Sequence, residues 1–158
     1  MLIAKNIMQD LKIKKMSADD LTKVVAIEQV AQVSPWSKQM FLDSLKAKHM
    51  CVVLVRSVSS EIIGYAVMSM VVGEAEVLNV CIREDMQKKG YGKFLLNYLL
   101  RIAKEKEVKQ VFLEVRKSNT KAIKLYENSG FVRIDVRKNY YKGKTQREDA
   151  VILLANRF

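Results

Sequence analysis

The sequence predicts a mixed α/β fold, in which a central twisted sheet of six to seven strands, parallel and antiparallel, is flanked by about four helices. Three observations carry this. Short β-branched runs alternate with segments of helical period. Strands follow one another directly in the middle and at the end of the chain, as in hairpins, while single helices separate the strands between. No internal repeat, low-complexity segment or Pro/Gly-rich linker interrupts the 158 residues, so a single domain over residues 1–158 is expected.

The elements follow in order. The first dozen residues, ending near Lys12, read as a short extension or an edge strand. Ser17-Ala-Asp-Asp20 reads as a capping box, and a helix follows with Leu21, Val24, Val25, Ile27 and Val30 as its apolar stripe. Ser34-Pro35-Trp36-Ser37 breaks that pattern, and Ser37 caps a second helix through Met40, Phe41 and Leu45. Strands are predicted at Cys51–Arg56, Ile62–Val72 and Glu74–Ile82, with a turn at Ser57–Ser60. A helix opens at Gly90–Lys93 and runs to about Lys106, with Leu95, Leu99, Ile102 and Ala103 on one face. Gln110–Val115 is a strand, Ser118–Asn128 a short helix, and Gly130 stands just past it as a C′ residue. Two strands close the chain, Phe131–Tyr141 and Glu148–Ala155, around the polar loop Lys142–Gln146.

Composition narrows the function classes. Hydrophobic residues make up 49% of the chain, which argues against disorder and for a sizeable buried core. No apolar stretch reaches the roughly 18 residues of a membrane span. Met1 to Lys15 mixes Lys and Asp among its apolar residues and lacks the apolar core of an export signal, so a cytoplasmic protein is expected. Cys51 and Cys81 lie in apolar runs and read as reduced, buried thiols. His49, the sole histidine, reads as a surface residue, and no metal site is expected. The net charge of +11 suits a polyanionic partner such as RNA, a ribosome or a phosphate-rich cofactor, and equally suits solvated lysine faces. The basic residues are spread along the chain rather than gathered into a nucleic-acid-binding arm.

Three segments carry chemistry. Gln87-Lys-Lys-Gly90-Tyr-Gly92-Lys93 follows a strand and opens a helix. Glycines there let the backbone approach a ligand, and free N–H groups at a helix start point at anions. It is neither a Walker loop nor a full three-glycine dinucleotide fingerprint. In Leu113-Glu114-Val115-Arg116 a carboxylate stands inside an apolar strand. It is either an edge glutamate facing water or a general base at a cleft. Tyr126, in Ala122-Ile-Lys-Leu-Tyr126-Glu-Asn-Ser-Gly130-Phe131, is either a core tyrosine or an acid beside a thiol leaving group.

Together the three segments resemble the acetyl-CoA-binding half of the GNAT superfamily. Its Gln/Arg-x-x-Gly-x-Gly/Ala signature precedes an Asn-x-x-Ala-x-x-Leu-Tyr-x-x-x-Gly-Phe segment, matched here by Asn119 through Phe131. Pro35-Trp36-Ser37, Leu113–Asn119, Asn139-Tyr140-Tyr141 and Arg147-Glu148-Asp149-Ala150 resemble its bacterial ribosomal-protein-alanine N-acetyltransferase branch, and the likeness runs from about Lys14 to Ala155. The resemblance implies a GNAT fold and a cytoplasmic acyltransferase, with acetyl-CoA as co-substrate and no metal. The acceptor would be the N-terminal α-amine, of alanine, of a small-subunit ribosomal protein. It implies that Val80, Cys81 and Ile82 offer backbone groups to the pantetheine arm, and that Lys88, Lys89, Gly90, Tyr91, Gly92 and Lys93 hold the pyrophosphate. Asn119 would contact the cofactor, Glu114 act as base through water and Tyr126 as acid. Trp36 and Tyr140 would flank the peptide. A groove for a basic peptide is expected to be acidic, in contrast to the chain's charge. Membrane association is not expected, and direct nucleic-acid binding is not required. The alternatives are a GNAT enzyme acting on lysine or a small amine, and a basic RNA- or ribosome-binding domain without catalysis.

Overall fold

A computed structural model describes residues 9–158; the export reading of Met1–Lys15 and the first part of the N-terminal extension fall largely on residues 1–8, outside the described residues. Among the described residues, seven strands form one sheet, ordered first, second, third, fourth, fifth, seventh, sixth by their place in the chain, and four α-helices accompany them. Internal contacts gather into two compact units. The first runs to Val67 and takes in Asn79–Leu95; the second takes in Met68–Leu78 and Leu96–Phe158.

In the first unit, β1 (Leu11–Lys15) is an edge strand paired antiparallel to β2 (Met50–Arg56), from Leu11↔Arg56 to Lys15↔Val52. The Asp20 carboxylate accepts from the Ser17 N–H at 2.8 Å and closes the turn before α1 (Leu21–Ala31). Leu21, Val24 and Ile27 of α1 are buried as expected, but Val25 is only half-buried and Val30 is 69% exposed. Glu28 takes the buried place instead, since it lies four residues after Val24 and seven after Leu21 on the same helical face. Ser37 Oγ accepts from the Met40 N–H at 3.3 Å and starts α2 (Lys38–Lys46), which buries Phe41. His49, expected on the surface, is half-buried, and its Nδ1 lies out of water without a hydrogen-bond partner. It sits between the left-handed turn at Lys48 and the buried strand β2.

β3 (Ile62–Val71) and β4 (Glu74–Ile82) run through both units. Gly64 on β3 faces β4 so closely that a Cβ there would lie 2.6 Å from Ile82 Cδ1 and 2.9 Å from the Cys81 carbonyl oxygen. Gly64→Ala is therefore expected to destabilise the protein by about 1–3 kcal/mol through overpacking. A urea midpoint equal to that of the wild type would show that the strands yield freely.

Helix α3 (Tyr91–Glu105) buries Leu95, Leu96, Leu99, Leu100 and Ala103; Ile102, expected on this face, is half-buried. In the second unit, β5 (Gln110–Arg116) alternates strictly: Val111, Leu113 and Val115 are buried, while Phe112, Glu114 and Arg116 are half-buried on the other face. α4 (Thr120–Glu127) is capped by Asn119, whose Oδ1 accepts from the Ala122 N–H at 3.2 Å, and Gly130 follows it with φ +95°. β7 (Glu148–Ala155) pairs antiparallel with both β5 and β6 (Val132–Tyr141). The β6–β7 register shifts between Arg133 and Asp135 and again between Arg137 and Tyr141.

Candidate functional site

In the first unit, the Gln87–Lys93 segment joins β4 to α3. The Gln87 side chain donates to the Ile82 carbonyl at 2.9 Å and ties the loop to the end of β4, which accounts for a glutamine at the head of the motif. The backbone turns left-handed at Lys88 (φ 60°) and Gly90 (φ 85°), and α3 begins at Tyr91, which is buried. Lys88, Lys89 and Lys93 are exposed around the start of this helix. A left-handed glycine, a helix N-terminus and three ammonium groups fit a pyrophosphate by charge and by backbone access. Upstream on β4, Val80 is half-buried, while Cys81 and Ile82 are buried. Burial pushes the Cys81 thiol up to about 11, with Glu28 adding to the shift and Tyr65 and Gln32 opposing it, so it stays a protonated core thiol at neutral pH.

Trp36 lies in the segment between α1 and α2. Its ring leans on Phe41 with centroids 5.2 Å apart, and its amide N–H donates to Glu28 Oε1 at 2.8 Å. Glu28 is 1% exposed. It also accepts from Asn79 Nδ2 at 3.2 Å on each oxygen and from the Tyr65 hydroxyl. The sequence reading missed this network. Its one signal is a carboxylate on the buried stripe of an otherwise apolar helix face.

In the second unit, strand pairing gathers a cleft of about 340 Å³ lined by Ser69, Glu74, Glu76, Phe112, Glu114 and Arg137, among others. Glu76 and Phe112 are register partners in the parallel β4–β5 pair, and Glu114 faces Ile152 across β5–β7. Three carboxylates and one guanidinium make this cleft acidic on a protein of net charge +11. Glu114 Oε1 pairs with Arg137 Nη1 at 3.0 Å, and the Arg137 guanidinium stands 5.4 Å from the Tyr140 ring centroid. A hydrogen bond to Glu114, helped by that residue's charge, holds the Tyr140 phenol above its ordinary value, against the pull of Arg137. Partial burial and the Glu114 charge push the Glu76 carboxyl above its usual range, again with Arg137 opposing. The structure thus brings together Glu114 and Tyr140, two of the residues singled out in the sequence, and adds Arg137 and Glu76, which the sequence reading missed. Both lie on strands whose alternation was legible, but nothing local showed that they share a face with Glu114.

Tyr140 is presented by a bulge. Asn139 adopts φ 52°, and its N–H donates to Asp149 at 3.0 Å. Arg147 donates to the carbonyls of Asn139 at 2.7 Å and Tyr140 at 3.2 Å. Glu148 accepts from the Ser118 N–H at 2.6 Å and pairs with Arg116 at 3.3 Å, while the Arg116 guanidinium lies 4.5 Å from the Tyr141 ring centroid. The Arg147-Glu148-Asp149 motif is therefore a clamp on the β6–β7 hairpin. Tyr126, on α4, is buried with its ring 6.0 Å from that of Phe131. Asn119 spends its side-chain oxygen on capping α4. Among the described residues, no group of three or more His, Cys, Asp or Glu is placed to hold a metal, and no helix is long and apolar enough to cross a membrane.

The family model described as the Acetyltransferase (GNAT) family matches residues 18–131. The chain is similar to the [Ribosomal protein bS18]-alanine N-acetyltransferase of Escherichia coli K12, with 33% identity over 141 residues covering 89% of this chain and 94% of that protein. It is 37% identical over 142 residues to the protein of the same name from Haemophilus influenzae, covering 89% and 95%. The crystal structure of the ribosomal-protein-S18-alanine N-acetyltransferase from Escherichia coli superposes with a TM-score of 0.85 at 32% identity, covering 92% of each chain. The sheet and helices above are those of this fold, and the chain belongs to the GNAT family of acetyltransferases.

Proposed function

We propose that the chain works as one cytoplasmic acetyltransferase domain that moves the acetyl group of acetyl-CoA to the N-terminal α-amine of a protein, an alanine of a small-subunit ribosomal protein. The observation that carries this reading is Glu114, set in an acidic cleft with Arg137 and hydrogen-bonded to Tyr140, in a chain one third identical to enzymes named for that reaction. An acidic cleft suits a basic peptide whatever the charge of the remaining surface.

In the proposed reaction, Lys88, Lys89, Lys93 and the backbone from Gly90 to Gly92 hold the pyrophosphate. Val80, Cys81 and Ile82 offer backbone groups to the pantetheine arm and the acetyl carbonyl, and Asn119 contacts the co-substrate. Paired residues of β4 and β5 run from Glu74–Val77 against Gln110–Leu113, while β4 continues to Ile82, which supports a role for its later backbone groups in binding. Trp36 and Tyr140 flank the peptide.

The amine attacks in its neutral form. At pH 7, neutralising an α-amine of pKa about 7.7–8.0 costs about 1 kcal/mol, against about 4–5 kcal/mol for a lysine of pKa about 10.4. One carboxylate, Glu114, acting through water, suffices for the first. As the new C–N bond forms, the C–S bond breaks and Tyr126 protonates the departing thiolate. Tyr126→Phe is expected to lower turnover while leaving acetyl-CoA affinity nearly intact, because the hydroxyl acts only as the thiolate leaves. Wild-type turnover in that variant, with chemistry shown to limit the rate, would make Tyr126 a core residue only.

The deciding experiment is thiol release from acetyl-CoA over a peptide panel, with mass spectrometry of the products. Release with a free N-terminal alanine, lost when that amine is blocked although lysines remain, supports the reading. Acetyl groups on lysine side chains overturn the α-amine assignment, and no release with any amine overturns catalysis.

A further inference from the structure

The chemistry above makes no use of Glu28, the one carboxylate among the described buried residues of the first unit. Desolvating it is costly unless its hydrogen bonds compensate, and an apolar residue at this stripe position would serve the core as well or better. Its partners show what the charge secures. Asn79 and Tyr65 are buried residues of the strands β4 and β3, whereas the Trp36 N–H belongs to an irregular segment between two helices. That segment has a second tie: the Trp36 ring rests on Phe41, and Phe41 stands edge-on to Tyr65 at 5.6 Å. Trp36 is thus held by its amide to Glu28 and by its ring to Phe41, and both holders meet at Tyr65.

We infer that Glu28 is a positioning residue for peptide recognition: its carboxylate, braced by Tyr65 and Asn79, fixes the Pro35–Trp36 segment in the conformation that receives the substrate's N-terminal residue. This rests on the proposed role of Trp36 in flanking the peptide. An amide oxygen is a poor replacement, because three donors converge on Glu28 and glutamine offers one acceptor and a donor of its own. A shortened carboxylate keeps the charge but withdraws it from the Trp36 amide.

Glu28→Gln and Glu28→Asp are both expected to raise KM for an N-terminal-alanine peptide about tenfold, the size of one hydrogen bond to a charged group lost from binding. kcat and acetyl-CoA affinity are expected to stay near wild type. Tyr65→Phe removes one brace of the carboxylate while keeping the ring against Phe41, and is expected to raise the peptide KM in the same direction by a smaller factor, with kcat near wild type. Trp36 is the only tryptophan, so its emission reports on the segment independently of activity, and acrylamide quenching is expected to rise in both Glu28 variants. An active wild type whose Glu28 variants fold with unchanged peptide KM overturns the inference, and so does unchanged quenching. A wild type that acetylates no N-terminal peptide overturns the functional reading instead, and quenching then decides alone whether Glu28 holds the segment.

Discussion

Glu114→Gln is expected to lower acetylation of an N-terminal-alanine peptide roughly 10²–10⁴-fold, the usual loss on removing a general base. Glutamine matches glutamate in shape, and the side chain is half-buried at the face of β5 rather than in the core, so fold and acetyl-CoA binding should survive. The amide cannot take the proton and gives up the ion pair with Arg137 at 3.0 Å. The sign of the pH effect follows from the substrate. An α-amine loses its proton unaided above pH about 8, so the deficit of the variant should shrink as pH rises through that value. A lysine substrate would keep the deficit until pH about 10. A pH–rate profile identical to that of the wild type would remove Glu114 from the mechanism, whatever the substrate.

Gly90→Val is expected to abolish acetyl-CoA binding. Gly90 has φ 85°, a left-handed conformation in which a β-branched residue is strained, and it immediately precedes α3. Valine would pull the loop out of that conformation and put a side chain where the backbone must approach the pyrophosphate. Both effects act on the same few N–H groups, so the loss should be complete rather than graded. Isothermal calorimetry tests this, with circular dichroism to show that the variant folds. Unchanged affinity would refute the assignment of the loop as the phosphate cradle.

These two residues differ in how far the sequence could take them. Gly90 was readable because its role is local: a glycine between a strand and a helix is decided by the backbone of its own few residues. Glu114 was readable only as a choice between a solvated edge residue and a base. That it does not stand on an edge strand depends on β7 entering the sheet between β5 and β6, which sets Glu114 opposite Ile152, brings Arg137 to the same cleft and lets Tyr140 hydrogen-bond to Glu114. Arg137 and Glu76 escaped notice for that reason. Each is an ordinary charged residue on its own strand, and strand alternation says which residues share a face within one strand but not which strands lie side by side.

Short-range physics was enough for the rest. By itself, the sequence determined the order of the elements, because apolar period, caps and turn residues act over a few positions: β4 and β7 came out with their observed ends, and α2 begins at its Ser37 cap. It also determined the family, since the glycine loop and the Leu-Tyr-x-x-x-Gly-Phe segment stand at matching distances along the chain. Tertiary structure decided what depends on desolvation and on neighbours distant in sequence. Glu28 was buried in place of Val30 because Tyr65 and Asn79, contributed by two later strands, supply the hydrogen bonds that a carboxylate needs away from water. A local acidic cleft arose on a basic protein because three glutamates share one face of neighbouring strands, and charge density is set by distance in space, which composition does not record.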